Sequence, residues 1–361
     1  MTGDFDMRKV ALKAIKGDEV LAQDIFGAHE TLLMSAGVVL KKEYVHRLQE
    51  LGIQYIYIED AYAKGINKED LTEIKIKEQC QKEVQQTLDK FVYSGSSELE
   101  VLKEVAQEII LELLDEPQIM FNVSGVRQKA EHAYSHSVNV AALAVFLCLR
   151  MRISKDKIKE IAIGSLLHDI GYRLVKTDMR DRKYQDYSEK EKKELQMHVI
   201  YGYEAVQELD WLSTSAKDII LHHHEYMDGT GYPMHIDHDK IRLGARIVAV
   251  CDTFDRLVYG LLEEPMKVHE AIEYIVAKSG TNFDSKVVDV FKRSIAAYPN
   301  GTMVRTNEGE AGVVLRQNKE MPTRPVIRII QLANGHKLNH WVEKDLVKEL
   351  SVFVVDTLDE I

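Results

Sequence analysis

The sequence predicts a mainly α-helical chain, with a helical bundle at its centre, a small α/β module before it and a small β-rich module after it. Three observations carry this reading. Between Val123 and Ala297 nearly every segment places apolar residues at helical spacing, as in Val138, Ala142, Val145 and Leu149. Ahead of Asp60, short strand-like runs flank one amphipathic segment. Beyond Tyr298-Pro299-Asn300-Gly301 the pattern changes to short β-rich runs between turn signals. At roughly 100 to 200 residues per domain, 361 residues with 45% hydrophobic content are enough for two or three domains, each with its own core.

In chain order, the run VALKAI from Val10 is a strand-like start, Gly17-Asp18 a turn, and Met34-Ser35-Ala36-Gly37 a loop before Val38 and Val39. Lys41 to Leu51 is amphipathic, and Ile53 to Ile58 alternates as a strand does. Residues 1–66 therefore read as an accessory α/β module for packing or homodimerisation. Lys68 to Phe91 reads as one long polar helix; Ser94-Gly95-Ser96-Ser97 breaks it, and Glu98 to Leu114 resumes at helical spacing. This makes 67–122 a helical connector leading into the bundle at 123–297. In the last segment, 298–361, strands are expected over Thr302 to Arg305, Gly312 to Arg316, Val326 to Gln331 and Ser351 to Val355. Turns are expected at Asn307-Glu308-Gly309 and Asn334-Gly335.

Composition narrows the function. The 47 Lys+Arg against 58 Asp+Glu give a net charge of −11, which disfavours wrapping a nucleic-acid polymer, since that binding relies on Lys and Arg displacing counterions from phosphates. A small phosphorylated ligand stays open if positive charge is supplied locally. The longest apolar stretch, Val138 to Leu149, is too short for a bilayer, which takes about 20 residues. The start MTGDFDMRKV has no secretory pattern. Cys80, Cys148 and Cys251 are odd in number and far apart, as reduced thiols are. The expected location is the cytoplasm.

The chemistry concentrates in the histidines. Nine of the 14 lie between His132 and His238, inside the helical region. His132 and His136 are four apart on one helix face. His168-Asp169 closes an apolar helix, His198 lies in another, and His222-His223-His224-Glu225 ends a third before Asp228-Gly229-Thr230-Gly231-Tyr232-Pro233. Asp252 follows the apolar run Ile247 to Cys251. Imidazoles and carboxylates at helix ends and inner faces suit one or more transition-metal ions, because buried without a cation they would be left unpaired or repelling. Each fragment alone has a plainer explanation: a solvated pair, a chance dipeptide, a surface tract, a helix cap. Their occurrence together, in this order, favours a metal site.

That order resembles the HD-GYP subgroup of the HD metal-dependent phosphohydrolases. The matching text is AYSHSVNVAAL (133 to 143), LLHDIGY (166 to 172), MHVIYGYEAV (197 to 206), HHEYMDGTGYP (223 to 233), ARIVAVCDTFDRL (245 to 257) and SGTNFDSKVVDVF (279 to 291). The resemblance implies an HD-type helical bundle, metal ligands at His136, His168, Asp169, His198, His223, His224 and Asp252, and His168 and Asp169 as the catalytic pair, with Asp169 bridging two divalent ions, iron or manganese. Members of this family with a third metal have Glu four residues before His136; this chain has His132 there, a residue able to ligate. His222 falls outside the matched motif.

The implied reaction is hydrolysis of cyclic di-GMP, or a related cyclic dinucleotide, to the linear dinucleotide and onward to GMP, with diguanylate cyclase domains as partners. Three departures bear on phosphate recognition. Tyr172 replaces the Lys of HDIGK, Tyr226 replaces the Arg of HHER, and Leu261 to Lys267 stands where the family has a basic stretch. A phenol donates a hydrogen bond but brings no positive charge at neutral pH. Tyr172, Gly231, Tyr232, Arg256 and Lys267 are the expected substrate-binding residues, Arg256 and Lys267 being the cations that remain. The expectation is a metal-dependent phosphodiesterase; the alternatives are a weakly active or inactive HD-GYP sensor that binds a nucleotide or a cyclase, and an HD hydrolase of another phosphoester.

Overall fold

The computed structural model describes residues 7–26, 32–51, 53, 55–60, 63–64, 83–91, 96–115, 132–177, 182–260, 265–318 and 321–358. The chain forms two compact units. One gathers Met1–Ile74, Asn122–His132 and Ile295–Ile361; the other gathers Lys75–Phe121 and Ala133–Ser294.

In the first unit, β1 (Met7–Ala11) pairs antiparallel with β4 (Tyr55–Glu59), from Met7↔Glu59 to Ala11↔Tyr55. The strand thus starts before VALKAI, which turns into a short 3-10 helix from Leu12 to Ala14. The two-stranded pair β2 (Ile25–Phe26) and β3 (Leu32–Met34) and helix α1 (Lys42–Glu50) complete this part. Val45 and Leu48 of α1 pack with Leu12, Leu21, Leu40, Ile56 and Ile58 into one buried cluster, so the amphipathic period of the segment does become its buried face. Gly17 and Gly37 take φ of 114° and 84° at the two turns.

The C-terminal part of the same unit is a five-stranded antiparallel sheet in the order β8-β7-β6-β5-β9. Its strands are β5 (Met303–Thr306), β6 (Ala311–Arg316), β7 (Val326–Gln331), β8 (Lys337–Asp345) and β9 (Val354–Leu358). Asn307 to Gly309 and Asn334-Gly335 turn the β5–β6 and β7–β8 hairpins. β8 is an addition to the sequence expectation. Its composition, KLNHWVEKD, is polar because it forms an edge of the sheet, where charged side chains and a half-exposed Trp341 meet solvent.

The second unit is helical: α2 (residues 83–91), α3 (Leu102–Asp115), α4 (His132–Arg150), α5 (Lys155–Leu167), α6 (Glu189–Gln196), α7 (His198–Val206), α8 (Thr214–His222), α9 (Leu243–Tyr259), α10 (Val268–Ala277) and α11 (Ser285–Ser294). The long helix expected over Lys68 to Phe91 is seen as α2; its first part lies outside the described residues, as do Leu261 to Glu264. Ser96 and Ser97 belong to a 3-10 stretch that leads into α3. From Val138 to Cys148, α4 is buried on every side, and α9 is buried over most of Gly244 to Leu257, so these two helices form the centre of the unit. Among the described residues no helix is long and apolar enough to cross a membrane.

Local chemistry sets the helix ends. Ser188 caps α6 by accepting from the Glu191 N–H, and its own N–H donates to Glu191 Oε2 at 2.8 Å, a capping box. Ser213 caps α8 in the same way through the Ala216 N–H. Gly260 closes α9 in the left-handed region, at φ 64°. Asp284 precedes α11: its Oδ1 accepts from the Lys286 and Val287 N–H groups, and its Oδ2 accepts from Arg246 Nη1 of α9 at 2.9 Å.

Burial works against ionising Asp284, but Arg246 and the two N–H donors outweigh it and hold its carboxyl below the ordinary range. A lowered folded-state value means that the contribution to stability is complete above roughly pH 4 and is lost as pH falls through the folded-state value. Asp284→Asn is expected to cost about 2 kcal/mol at neutral pH and less at an acid pH below the folded-state value. Urea titration at both pH values checks this; an equal loss at both would remove the charge from the account.

Candidate metal centre

Five helices deliver the polar groups. α4 contributes His136; the end of α5 contributes His168 and, just beyond it, Asp169; His198 is the first residue of α7; His223 and His224 follow α8; and Asp252 lies in the middle of α9. Except for Asp169, whose side chain is 17% exposed, all are buried.

The α5 and α7 contributions are held together by Gly171. A Cβ on Gly171 would collide with the His198 carbonyl and stand 2.6 Å from the Gly202 nitrogen, so the turn after Asp169 can lie on α7 only with glycine there.

Four of the five rings are oriented from behind. His168 Nδ1 donates to the Ser165 carbonyl at 2.7 Å, His198 Nδ1 to the Leu195 carbonyl at 2.7 Å, and His223 Nδ1 to the Ile219 and Ile220 carbonyls at 3.1 and 3.2 Å. A carbonyl only accepts, so Nδ1 carries the hydrogen and the neutral ring turns its Nε2 lone pair inward. His136 is held by Asp255, whose Oδ2 is 2.7 Å from its Nδ1 and whose Oδ1 accepts from Asn139 Nδ2 at 3.1 Å. Such supports fix the orientation and basicity of metal-binding imidazoles.

The inward nitrogens divide around Asp169. Its Oδ2 lies 3.5 Å from His136 Nε2 and 3.3 Å from His168 Nε2, while its Oδ1 lies 3.4 Å from His198 Nε2 and 3.5 Å from His223 Nε2. Asp252 Oδ1 is 3.0 Å from His136 Nε2, and its Oδ2 is 3.8 Å from His224 Nδ1. Two ligand groups result, each with donor atoms within 4.8 Å of one another: His136, His168, Asp169 and Asp252; and Asp169, His198, His223 and His224.

Several observations fit cations in these groups. His198 and His223 bring Nε2 atoms to 3.4 Å of each other, lone pair toward lone pair once both Nδ1 atoms serve carbonyls. His136 and His168 bring their Nε2 atoms to 3.2 Å of each other beside Asp169 and Asp252. Asp169 Oδ1, Asp252 Oδ1 and His224 Nε2 are buried and make no hydrogen bond. A divalent ion in each group would satisfy these atoms, which otherwise carry the full cost of burial.

The electrostatics agree. Burial alone would raise both carboxyls; the facing imidazoles keep Asp169 well below the ordinary range, and Arg256 with His136 and His168 does so for Asp252. Burial opposes charge on His168, yet Asp169 and Asp252 push it up to about 10. His198 is pushed down to about 3 by burial, against the pull of Asp169. The carboxylates are thus ready as ligands, and metal binding at His168 would release a proton.

The seven residues expected as ligands therefore meet at one place. His132 begins α4, and its side chain lies outside the described part of the structure. His222 pairs with Asp218 at 3.1 Å instead. Tyr172 stacks on the His198 ring, with centroids 3.9 Å apart and planes at 9°, and Tyr232 stacks on His224 at 4.8 Å and 29°. Burial, then Asp169, raises the Tyr172 phenol, so it stays a neutral donor.

Gly231 is packed against backbone: an added Cβ would meet the Tyr226 nitrogen, Glu225 Cα and the His224 carbonyl, so the room it leaves is taken by the chain itself. Arg256 Nη1 is 3.8 Å from Asp252 Oδ2, whereas Lys267 stands exposed at the start of α10, outside both ligand groups. Asp255 and Asn139 are additions to the sequence reading. Their signal was present in the spacing: each lies three residues after a ligand, Asp252 and His136, on the same helix face.

Residues 124–287 match the HD domain family, and residues 303–361 match the KOW domain associated with HD domain. The chain is 30% identical over 230 residues to cyclic di-GMP phosphodiesterase PA4108 of Pseudomonas aeruginosa, covering 63% of this chain and 54% of that protein. It is 24% identical over 207 residues to cyclic di-GMP phosphodiesterase PdeB of Borreliella burgdorferi, covering 57% and 54%. The chain thus spans about half the length of these curated relatives. Among solved structures, Bd1817, an HDG"Y"P protein from Bdellovibrio bacteriovorus, shares the fold, with a TM-score of 0.51 and 17% identity over 79% of this chain and 98% of that one. The family match and the shared fold together identify residues 124–287 of this chain as an HD domain, carrying the ordered His/Asp motifs of the metal centre.

Proposed function

We propose that the chain is a cytoplasmic, metal-dependent phosphodiesterase that opens cyclic di-GMP, or a related cyclic dinucleotide, to its linear form and onward to GMP. One observation carries the reading: Asp169 presents one carboxylate oxygen to each of two His-rich ligand groups. The cyclic di-GMP phosphodiesterases among its relatives support the substrate class.

Two divalent ions held by these groups, iron or manganese in a His/carboxylate set of this kind, would supply Lewis acidity toward a phosphoryl group and activate water near neutral pH. The chain's own residues do the rest. Asp169 and Asp252 remain ionised to hold the ions, and the Nδ1–H bonds keep the imidazoles aimed. Tyr172 and Tyr232 cover His198 and His224 with aromatic faces, and Tyr172 keeps its proton as a hydrogen-bond donor. Water's oxygen is added to phosphorus as one P–O ester bond breaks, and a proton passes to the departing ribose oxygen. In the same reading, the Gly229 to Pro233 loop is the surface for diguanylate cyclase partners.

The test is hydrolysis of cyclic di-GMP by protein loaded anaerobically with iron or manganese, with the products separated chromatographically. Linear dinucleotide is expected. Cyclic di-GMP bound by metal-loaded protein but left intact would replace the enzyme reading with that of a sensor.

A further inference from the structure

Arg256 stands apart from the buried polar groups around it. It follows Asp252 by one turn of α9, which brings Nη1 to 3.8 Å from Asp252 Oδ2, beyond hydrogen-bond range. Among the described residues it is the one Lys or Arg paired with a member of either ligand group, and its guanidinium makes no hydrogen bond. Its side chain is 28% exposed, whereas that of Asp252 is 1% exposed, so Arg256 reaches from the buried centre toward solvent. Its charge acts on both Tyr172 and Tyr232, the rings stacked over His198 and His224. A guanidinium built only to neutralise Asp252 would gain from a direct two-point contact, the favoured Arg–carboxylate geometry. Here the donor fork remains open beside a centre suited to a phosphoryl group.

We infer that Arg256 is the phosphate-binding cation of this centre, its guanidinium donating to the non-bridging oxygens of a phosphoryl group held against the two ligand groups. The inference rests on the phosphodiesterase reading for its substrate and extends it by naming the residue that recognises phosphate. Arg256 thereby supplies the charge that the neutral Tyr172 phenol does not. It also explains how a chain of net charge −11 takes an anionic ligand without a broad basic surface.

The experiment uses the full chain loaded with Mn²⁺, with inorganic phosphate as the equilibrium probe and cyclic di-GMP as the kinetic one. Arg256→Ala is expected to weaken phosphate binding about 10- to 100-fold, the worth of hydrogen bonds to a charged group, and to raise KM for cyclic di-GMP with bound metal unchanged. Arg256→Lys, which keeps the charge and loses the fork, should fall between the two and provides the reading if the Ala variant does not fold. Unchanged phosphate affinity in either variant, or loss of metal in step with loss of phosphate binding, overturns the inference and makes Arg256 a counterion of Asp252. Arg256-dependent phosphate binding without any cyclic di-GMP turnover by the wild type would instead sink the substrate reading and leave the inference standing.

Discussion

Asp169→Asn is expected to give a folded protein that has lost most of its bound transition metal and whose cyclic di-GMP hydrolysis is lower by about three orders of magnitude or more. The substitution keeps the shape of the side chain and removes the one charge shared by both ligand groups. An amide oxygen is a weaker ligand, and its NH₂ end would face either the His136/His168 pair or the His198/His223 pair without being able to coordinate. Both groups are therefore damaged by a single change. His222→Ala is the control: it is adjacent in sequence but paired with Asp218, so metal content and turnover should be retained. Elemental analysis and chromatographic turnover of the two variants check this, and a full metal complement in Asp169→Asn would remove Asp169 from its bridging place.

Gly171→Ala is the second change with a large expected effect, and it acts through packing. The added methyl would overlap the His198 carbonyl and crowd the Gly202 nitrogen, so α7 must move away from the turn after Asp169. Overpacking against backbone of this kind costs about 3 kcal/mol. The displacement carries His198 with it, so the group of Asp169, His198, His223 and His224 weakens while His136, His168 and Asp252 keep their supports on α4, α5 and α9. The expected result is a lower urea midpoint together with a fall from two bound ions toward one. An unchanged midpoint would show that the turn has room that the structure does not give it.

How much of this was legible in the sequence depends on where each residue's signal lies. His168-Asp169 and His223-His224 close helices, and Asp252 interrupts a buried run, so polar residues at apolar positions mark them before any coordinate is known. The supports of the His168, His198 and His223 rings leave no such mark, because the Ser165, Leu195 and Ile219 carbonyls are main-chain groups that any residue would offer. Gly171 is visible as a letter, but its reason, the closeness of α7, is a tertiary fact. Strand β8 was hidden because an edge strand with one solvated side reads as polar loop, while the interior strands β6 and β7 announce themselves by Val and Ile. Arg256 could be singled out as a cation near Asp252, but its open donor fork appears only with side chains in place.

The most direct test of the central claim is an anaerobic titration of metal-depleted protein with Mn²⁺, recording cyclic di-GMP hydrolysis against bound metal. Two ligand groups sharing Asp169 predict that hydrolysis is absent without metal and rises as occupancy passes from one ion toward two per chain. Two bound ions with no hydrolysis of any cyclic dinucleotide, or hydrolysis that persists in the metal-free chain, would contradict it.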